Sequence, residues 1–459
     1  MRRDAIDFAN QPVPQLFRKM FVPTLIGMLS IVVLTITDGA FVGHGCGSDA
    51  LAAINIAAPI FNLMAGIALM FGVGCSVVAS IHLSRGKHKA ANINVTQALV
   101  GCTVVAVGIS ALILADLPAT CRLFGSSEAL IPLAGSYLRW IALCEPLIML
   151  DMVGRFLVRL DGSPSFAMTC SIVASTLNIF LDWLFIFPLG WGLEGAAMAT
   201  SLSFSLTGIA QLFYLLFFTK TLHLYRLRFS LKSFLLTLRN LGYQMRMGCS
   251  AMLGEVAICG AMIVGNFVFI AYLGEAGVAA YSVACYCLPI VFMMANAIVQ
   301  SGQPIVSFAY GADNAARLTE SRRLMLRWAL VAGTLTALPF LLGAPFITRI
   351  FLNPDAEAFA LSVEGLPYYG TGVLFITLNV VLVGYLQSVG QSLRATVFTL
   401  LRGFVLVIPC FLLLPLRLGI PGIWIAVPVA EILTLAAILL TLRCPSFISP
   451  RRGRRTPVC

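Results

Sequence analysis

The chain has 459 residues, of which 59% are hydrophobic and only 11% charged, with a mean hydropathy of +0.95; a soluble globular domain carries about 25% charged residues. This composition excludes a soluble enzyme or binding module and indicates an all-α polytopic membrane protein. The formal net charge of +11 suggests a polyanionic partner only until the basic residues are placed along the chain.

A helix needs about 20 apolar residues to cross the hydrocarbon core of a bilayer, and runs of that kind recur from end to end. In chain order they occupy 17–43, 51–80, 93–115, 130–158, 166–188, 192–219, 247–272, 277–307, 324–346, 360–386, 393–416 and 420–443. Twelve transmembrane helices are expected. The opening "MRRDAIDFANQPVPQLFRKMF" has no short apolar region leading to a small-residue cleavage site, so the first run is read as a retained helix. The longest polar connection, 221–246, is too short to build a core. It is expected to be a cytoplasmic linker between an N-terminal lobe, 1–220, and a C-terminal lobe, 247–459, that ends in a short basic tail.

Counting connections from the start of the chain, one side of the membrane collects all of the 30 basic residues except Arg122, Arg139, Arg349 and Arg417. By the positive-inside rule both termini are cytoplasmic, and an even number of helices agrees. The basic residues therefore serve topology and lipid headgroup contact, and no nucleic-acid partner is expected. The 13 cysteines are scattered through apolar runs, and the nearest pair, Cys285 and Cys287, lacks the two-residue spacer of zinc or redox sites. The histidines His44, His82, His88 and His223 share no ligand spacing. No cofactor is expected, and without a phosphate-cradling glycine loop there is no ATP site.

Sliding the chain against itself gives matches at one offset of about 225–228 residues. "GCGSDALAAINIAAPI" aligns with "YLGEAGVAAYSVACYCLPI", placing Gly47 on Gly274; "RLDGSPSFA" aligns with "QSVGQSLRA", placing Gly162 on Gly390; "GLEGAAMA" aligns with "GIPGIWIA", placing Gly195 on Gly422. The offset spans six helices, an even number. The two six-helix bundles are therefore parallel repeats, one of the plans known for transporters.

Acids inside membrane helices are costly and are functional candidates by default. "STLNIFLDWLFIF" carries Asn178 and, one turn on, Asp182; "LTITDGAFVGHG" carries Asp38; "GLEGAAMATSLS" carries Thr200. At a rise of about 1.5 Å per residue, Asp38 and Asp182 lie about 8–9 Å, Thr200 about 12 Å and Asn178 about 15 Å below the outer ends of their helices. The four share one slab of the N-terminal bundle. The repeat maps Asp38 to Gly265, Asp182 to Cys410 and Thr200 to Pro428, so an equivalent scaffold is built without these groups. Two carboxyls, an amide and a hydroxyl suit a shared proton or a hard cation such as sodium. Glu255, in "SAMLGEVAICG", is about 12 Å from the inner end of its helix and is expected to line a substrate cavity with Asn379. Asp151 stands four residues before Arg155 and is expected to pair with it.

"TDGAFVGHGCGSDALAAINI", "RLDGSPSFAM", "LNIFLDWLFIF", "GLEGAAMATSLS" and "QSGQPIVSFAYGA" resemble the multidrug and toxic compound extrusion (MATE) family, in its DinF-like and MepA-like bacterial branches, over essentially the whole chain. The resemblance implies a MATE-like fold and a cation-coupled antiporter of the bacterial inner membrane. It would export amphipathic, often cationic compounds by alternating access of two lobes. It also implies a cation site at Asp38, Asn178, Asp182 and Thr200, and matches Glu255 to an acid of the NorM branch. That branch's acid on the tenth helix is missing from "GTGVLFITLNVVLVGYLQ", which favours coupling in the N-terminal lobe. Small molecules and membrane lipids are the expected partners and a monomer the expected state. A lipid-linked precursor flippase is the alternative function. A membrane-embedded enzyme is disfavoured, because no Asp-rich metal motif occurs.

Overall fold

A computed structural model describes residues 6–124, 126, 128, 130–227 and 230–443. The arginines of the extreme N-terminus and of the basic tail after residue 443 lie outside the described residues. Every regular element among the described residues is a helix. The first half contains α1 (Val13–Cys46), α2 (Ser48–Ser84), α3 (His88–Ala115), the short α4 (Leu117–Leu123), α5 (Ile131–Leu160), α6 (Pro164–Ile186) and α7 (Gly192–Phe217). Then follow α8 (Leu231–Gly311), α9 (Ala315–Leu342), α10 (Ala344–Phe351), α11 (Glu357–Ser388) and α12 (Ser392–Leu400). A π-helical turn, Leu401–Val405, leads into α13 (Val407–Leu418), α14 (Ile420–Trp424) and α15 (Ala426–Arg443).

Local signals set several boundaries. Proline stands in the first turn of α1, α4, α5 and α6, where its missing N–H is not needed. Asp116 caps α4 by accepting from the Ala119 amide at 2.9 Å. Ser230 caps α8 by accepting from the Ser233 amide at 3.2 Å, so helix begins at Leu231, inside the stretch read as a linker.

Nine helices among the described residues are long and apolar enough to cross a membrane, and the chain is a multi-pass membrane protein. The expected twelve are reached because α8, 81 residues long, is two helices meeting at Gly274. In addition α5 has the length but carries five charged residues, and the last span is short, Ala426–Thr441.

The internal repeat reappears in the backbone. Positive φ angles occur at Gly47 (86°) and Gly274 (64°), Gly86 (70°) and Asp313 (54°), Gly162 (86°) and Gly390 (74°), and Gly192 (56°) and Gly419 (63°). Each pair keeps the sequence offset to within a residue. At Gly47 and Gly274 the left-handed turn carries the chain from one span to the next, and a side chain would be strained there.

The chain forms two compact units. The first comprises 1–259, 296–327 and 384–396. Within it α5 is central, packed on α2, α3 and α7, while α6 lies between α1 and α7. Its core is built from small residues such as Ala68, Cys75 and Ala79 of α2 and Ala98, Cys102 and Ala106 of α3, set against Met149, Val153 and Leu157 of α5. Lipid is as apolar as the side chains, so helices in a membrane gain from close approach, which small residues permit. Gly208 of α7 has this role, since a Cβ there would run into the backbone of α5 at Leu147.

The second unit comprises 260–295, 328–383 and residues from 397 onward. Its core is aromatic. Phe269 stacks on Tyr281 at 4.4 Å between centroids and meets Trp424 edge-on at 4.8 Å, with Phe411 and Tyr369 also edge-on to Tyr281.

Candidate cation-coupling site

Four of the six residues singled out in the sequence come together in the first unit. Helices α1, α6 and α7 supply them, with α6 packed against both neighbours. Asn178 and Asp182 are fully buried; Asp38 and Thr200 are partly so. Spacing of one turn puts Asn178 and Asp182 on one face of α6. The Asn178 amide joins the group: its Nδ2 donates to Asp182 Oδ2 at 3.0 Å, and its carbonyl accepts from Thr200 Oγ1 at 3.2 Å and from the Thr200 backbone amide at 3.1 Å. This orientation of the amide is the one that satisfies both ends.

The carboxyl of Asp38 lies beside that of Asp182, close enough for the two to share a proton. Asp182 Oδ1 is buried and accepts no well-formed hydrogen bond. Two carboxylates this close repel if both are ionised, and no basic side chain forms an ion pair with either among the described residues. The cluster therefore has an open demand for positive charge. Chemically it can take up a proton between the carboxyls, or a small hard cation on their oxygens.

In the reverse orientation Nδ2 would meet the Thr200 backbone N–H, donor against donor, and the carbonyl would face an Asp182 oxygen, so the amide is held with its Nδ2 on Asp182.

In the second half, positions equivalent to these hold an apolar packing. Gly265, in the place of Asp38, lies against the Tyr281 ring, which a Cβ would approach to 2.6 Å. Cys410, in the place of Asp182, belongs to the same aromatic core. The scaffold is thus compatible with a purely apolar filling at these positions.

Glu255 and Asn379 lie elsewhere. Glu255 is partly buried on α8 in the first unit and forms no ion pair among the described residues. Asn379, on α11 in the second unit, is fully buried, and its Nδ2 donates to Glu431 Oε2 at 2.6 Å and to the Glu431 backbone carbonyl at 2.8 Å. Arg402, counted above with the basic anchors, is instead partly buried in the π turn. It donates to Glu431 Oε1 from Nη2 at 2.7 Å and from Nε at 3.1 Å, with its guanidinium over Phe292.

Sequence reasoning passed over other groups. Tyr137 of α5 and Cys46 of α1 are within electrostatic reach of both Asp38 and Asp182. Glu145 of α5 is 2% exposed with Oε2 unpartnered. Asp151 does pair with Arg155 as expected, and Gln211 of α7 donates to its other oxygen at 2.6 Å.

The MatE family profile matches residues 23–184 and 253–412. The multidrug export protein MepA of Staphylococcus saprophyticus is 24% identical over 420 residues, 91% of each chain. An FAD transporter of Shewanella oneidensis is 24% identical over 444 residues, 94% of each chain. Among solved structures, a MOP superfamily transporter from Pyrococcus furiosus superposes with a TM-score of 0.87 at 22% identity, covering 94% of this chain and 96% of that one.

Proposed function

This chain belongs to the MatE family, and from that premise we propose that it is a multidrug efflux transporter of the bacterial inner membrane, driven by a proton or sodium gradient. The substrates are small amphipathic molecules, often cationic, consistent with relatives named as multidrug export proteins. The Asp38–Asp182 pair carries the reading: two carboxyls side by side, bonded through Asn178 to Thr200, in a half whose repeat has apolar groups at those places.

In this mechanism the ionised pair is the state that awaits the coupling ion. Entry of a proton or sodium ion relieves the repulsion across Asp38 and Asp182. The new bonds draw α1, α6 and α7 into a different packing, and that packing has the lower affinity for substrate. A coupling ion can shift the equilibrium between two access states only by its differential affinity for them. The reading includes a monomer, both termini in the cytoplasm, lobes at 1–220 and 247–459, Glu255 and Asn379 near the substrate path, and lipid contact along the outer faces.

Proteoliposomes loaded with a fluorescent cation and given separate proton and sodium gradients test it. One gradient should drive export, and Asp38→Asn or Asp182→Asn should abolish that drive in a protein that still inserts. Equal rates with and without both gradients would contradict antiport.

A further inference from the structure

Arg159 of α5 is 4% exposed, yet it forms no ion pair among the described residues. Its Nη1 donates to the neutral Gln300 Oε1 of α8 at 2.5 Å, its guanidinium rests over the Phe156 ring at 5.8 Å, and its Nε has no partner. The acid that acts on it, Asp151, is already taken by Arg155 and Gln211, and Arg155 adds like charge. Eleven residues further along α8, the Gly311 carbonyl accepts from Arg85 Nε at 3.2 Å. A side chain at Gly311 would strike Ser84 and the backbone of Ile81. Val73, Val77, Ile81 and Phe156 form one buried apolar cluster against which Tyr310 packs. All of this lies inside the first unit, and it joins helices of the first sequence half to the end of α8, from the second.

We infer that Arg159 and Gln300 form a charge-strained latch, which holds the end of α8 against α2 and α5 and is built to open. Burying a guanidinium without an acid costs several times what one charge-assisted hydrogen bond returns. Water entering between α5 and α8 recovers that cost. Apolar packing around Phe156 and the tight fit at Gly311 favour closure, while the unanswered charge favours release, so the two arrangements stay near balance. A glutamate at 300 would make a stronger bond and a worse latch. The latch presupposes the alternating access proposed above.

Hydrogen–deuterium exchange across 296–311, on the purified full-length protein in lipid nanodiscs, tests it alongside transport in proteoliposomes. Gln300→Glu supplies the missing acid and should slow exchange of that segment about tenfold and transport to a similar degree. Arg159→Met combined with Gln300→Leu removes the charge without orphaning a polar group and should also slow exchange. Gln300→Ala should speed it. Unchanged or faster exchange in Gln300→Glu, or faster exchange in the Met/Leu pair, would overturn the latch. Because exchange is read without substrate, a wild-type protein that moves no compound would sink the transport reading while these arms still decide the latch.

Discussion

The amide of Asn178 stands one helical turn from Asp182 and donates to its Oδ2 at 3.0 Å, leaving Oδ1 of that carboxyl buried without a well-formed bond. Removing the amide strands the acceptor. Asn178→Ala is expected to cost about 1–3 kcal/mol, the penalty of a buried polar group left unsatisfied, and to cut gradient-driven transport at least about tenfold. Asn178→Gln keeps the chemistry but not the reach, and should fall between the two. Thermal denaturation and transport in proteoliposomes check both, and wild-type coupling in Asn178→Ala would remove the amide from the mechanism.

The pair of Asp151 and Arg155 is structural by the same physical criteria. Asp151 is fully buried and bonded on both oxygens, by Arg155 and by Gln211. Arg155→Ala leaves the Asp151 charge inside the first unit with the Gln211 amide and only the Arg159 guanidinium, not bonded to it, to answer it, and a loss of about 3–5 kcal/mol is expected. The double variant Arg155→Met, Asp151→Leu should recover most of it. Denaturation midpoints of the three proteins measure the coupling; additive losses would mean that the two side chains act independently.

Which parts were legible before the structure follows from what local patterns encode. Asp38, Asn178, Asp182 and Thr200 were found because depth along a helix is a linear function of position, and the repeat supplied an internal control at Gly265 and Cys410. The repeat pairs Gly47 with Gly274 but does not itself announce the left-handed turn that both make, a conformation that selects glycine. Arg402 was misplaced because counting charges by side of the membrane says nothing of depth, and the π turn that carries it inward to Glu431 leaves no pattern in the sequence. Glu145 sits beside Pro146 in a run that reads as an ordinary span, and Tyr137 reads as an interfacial aromatic. Their environments are set by packing between helices far apart in the chain, which no window of residues contains.

Close helix approach gives a third expectation. Gly208 of α7 faces the backbone of α5 at Leu147 and Asp151, and Gln211, on the next turn, reaches Asp151. Gly208→Ala inserts a methyl where no flexible side chain can yield. Overpacking of this kind costs about 1–3 kcal/mol, and the shift of α7 should also lengthen the Gln211 bond. A lowered melting temperature, partly restored by Leu147→Ala only if side-chain rather than backbone crowding dominates, distinguishes the two. The contact at the Leu147 carbonyl predicts no rescue.

Outside the membrane spans, the amino-terminal segment offers a prediction in pH. Asp7 accepts from Asn10 Nδ2 at 2.8 Å and from the amides of Ala9 and Asn10 at 2.9 and 3.2 Å, and these bonds, with Arg317 nearby, hold its carboxyl below the ordinary value of 3.8. Arg317 ties down the same segment by donating from Nη2 to the carbonyls of Phe8 and Gln11 at 3.0 and 2.9 Å, and Phe8 stacks on Phe308. A depressed carboxyl contributes order that is present above its unfolded value and is lost as pH falls through its folded one. Lowering the pH from neutral to well below 3.8 should therefore reduce the protection of the amides at residues 8–11, read as exchange relative to each amide's intrinsic rate at the same pH, and Asp7→Asn should show the reduced protection already at neutral pH with little further change on acidification. Exchange that is equally slow in both proteins at neutral pH would assign the order of this segment to Arg317 and Phe308 alone, since their contacts do not depend on the ionisation of Asp7.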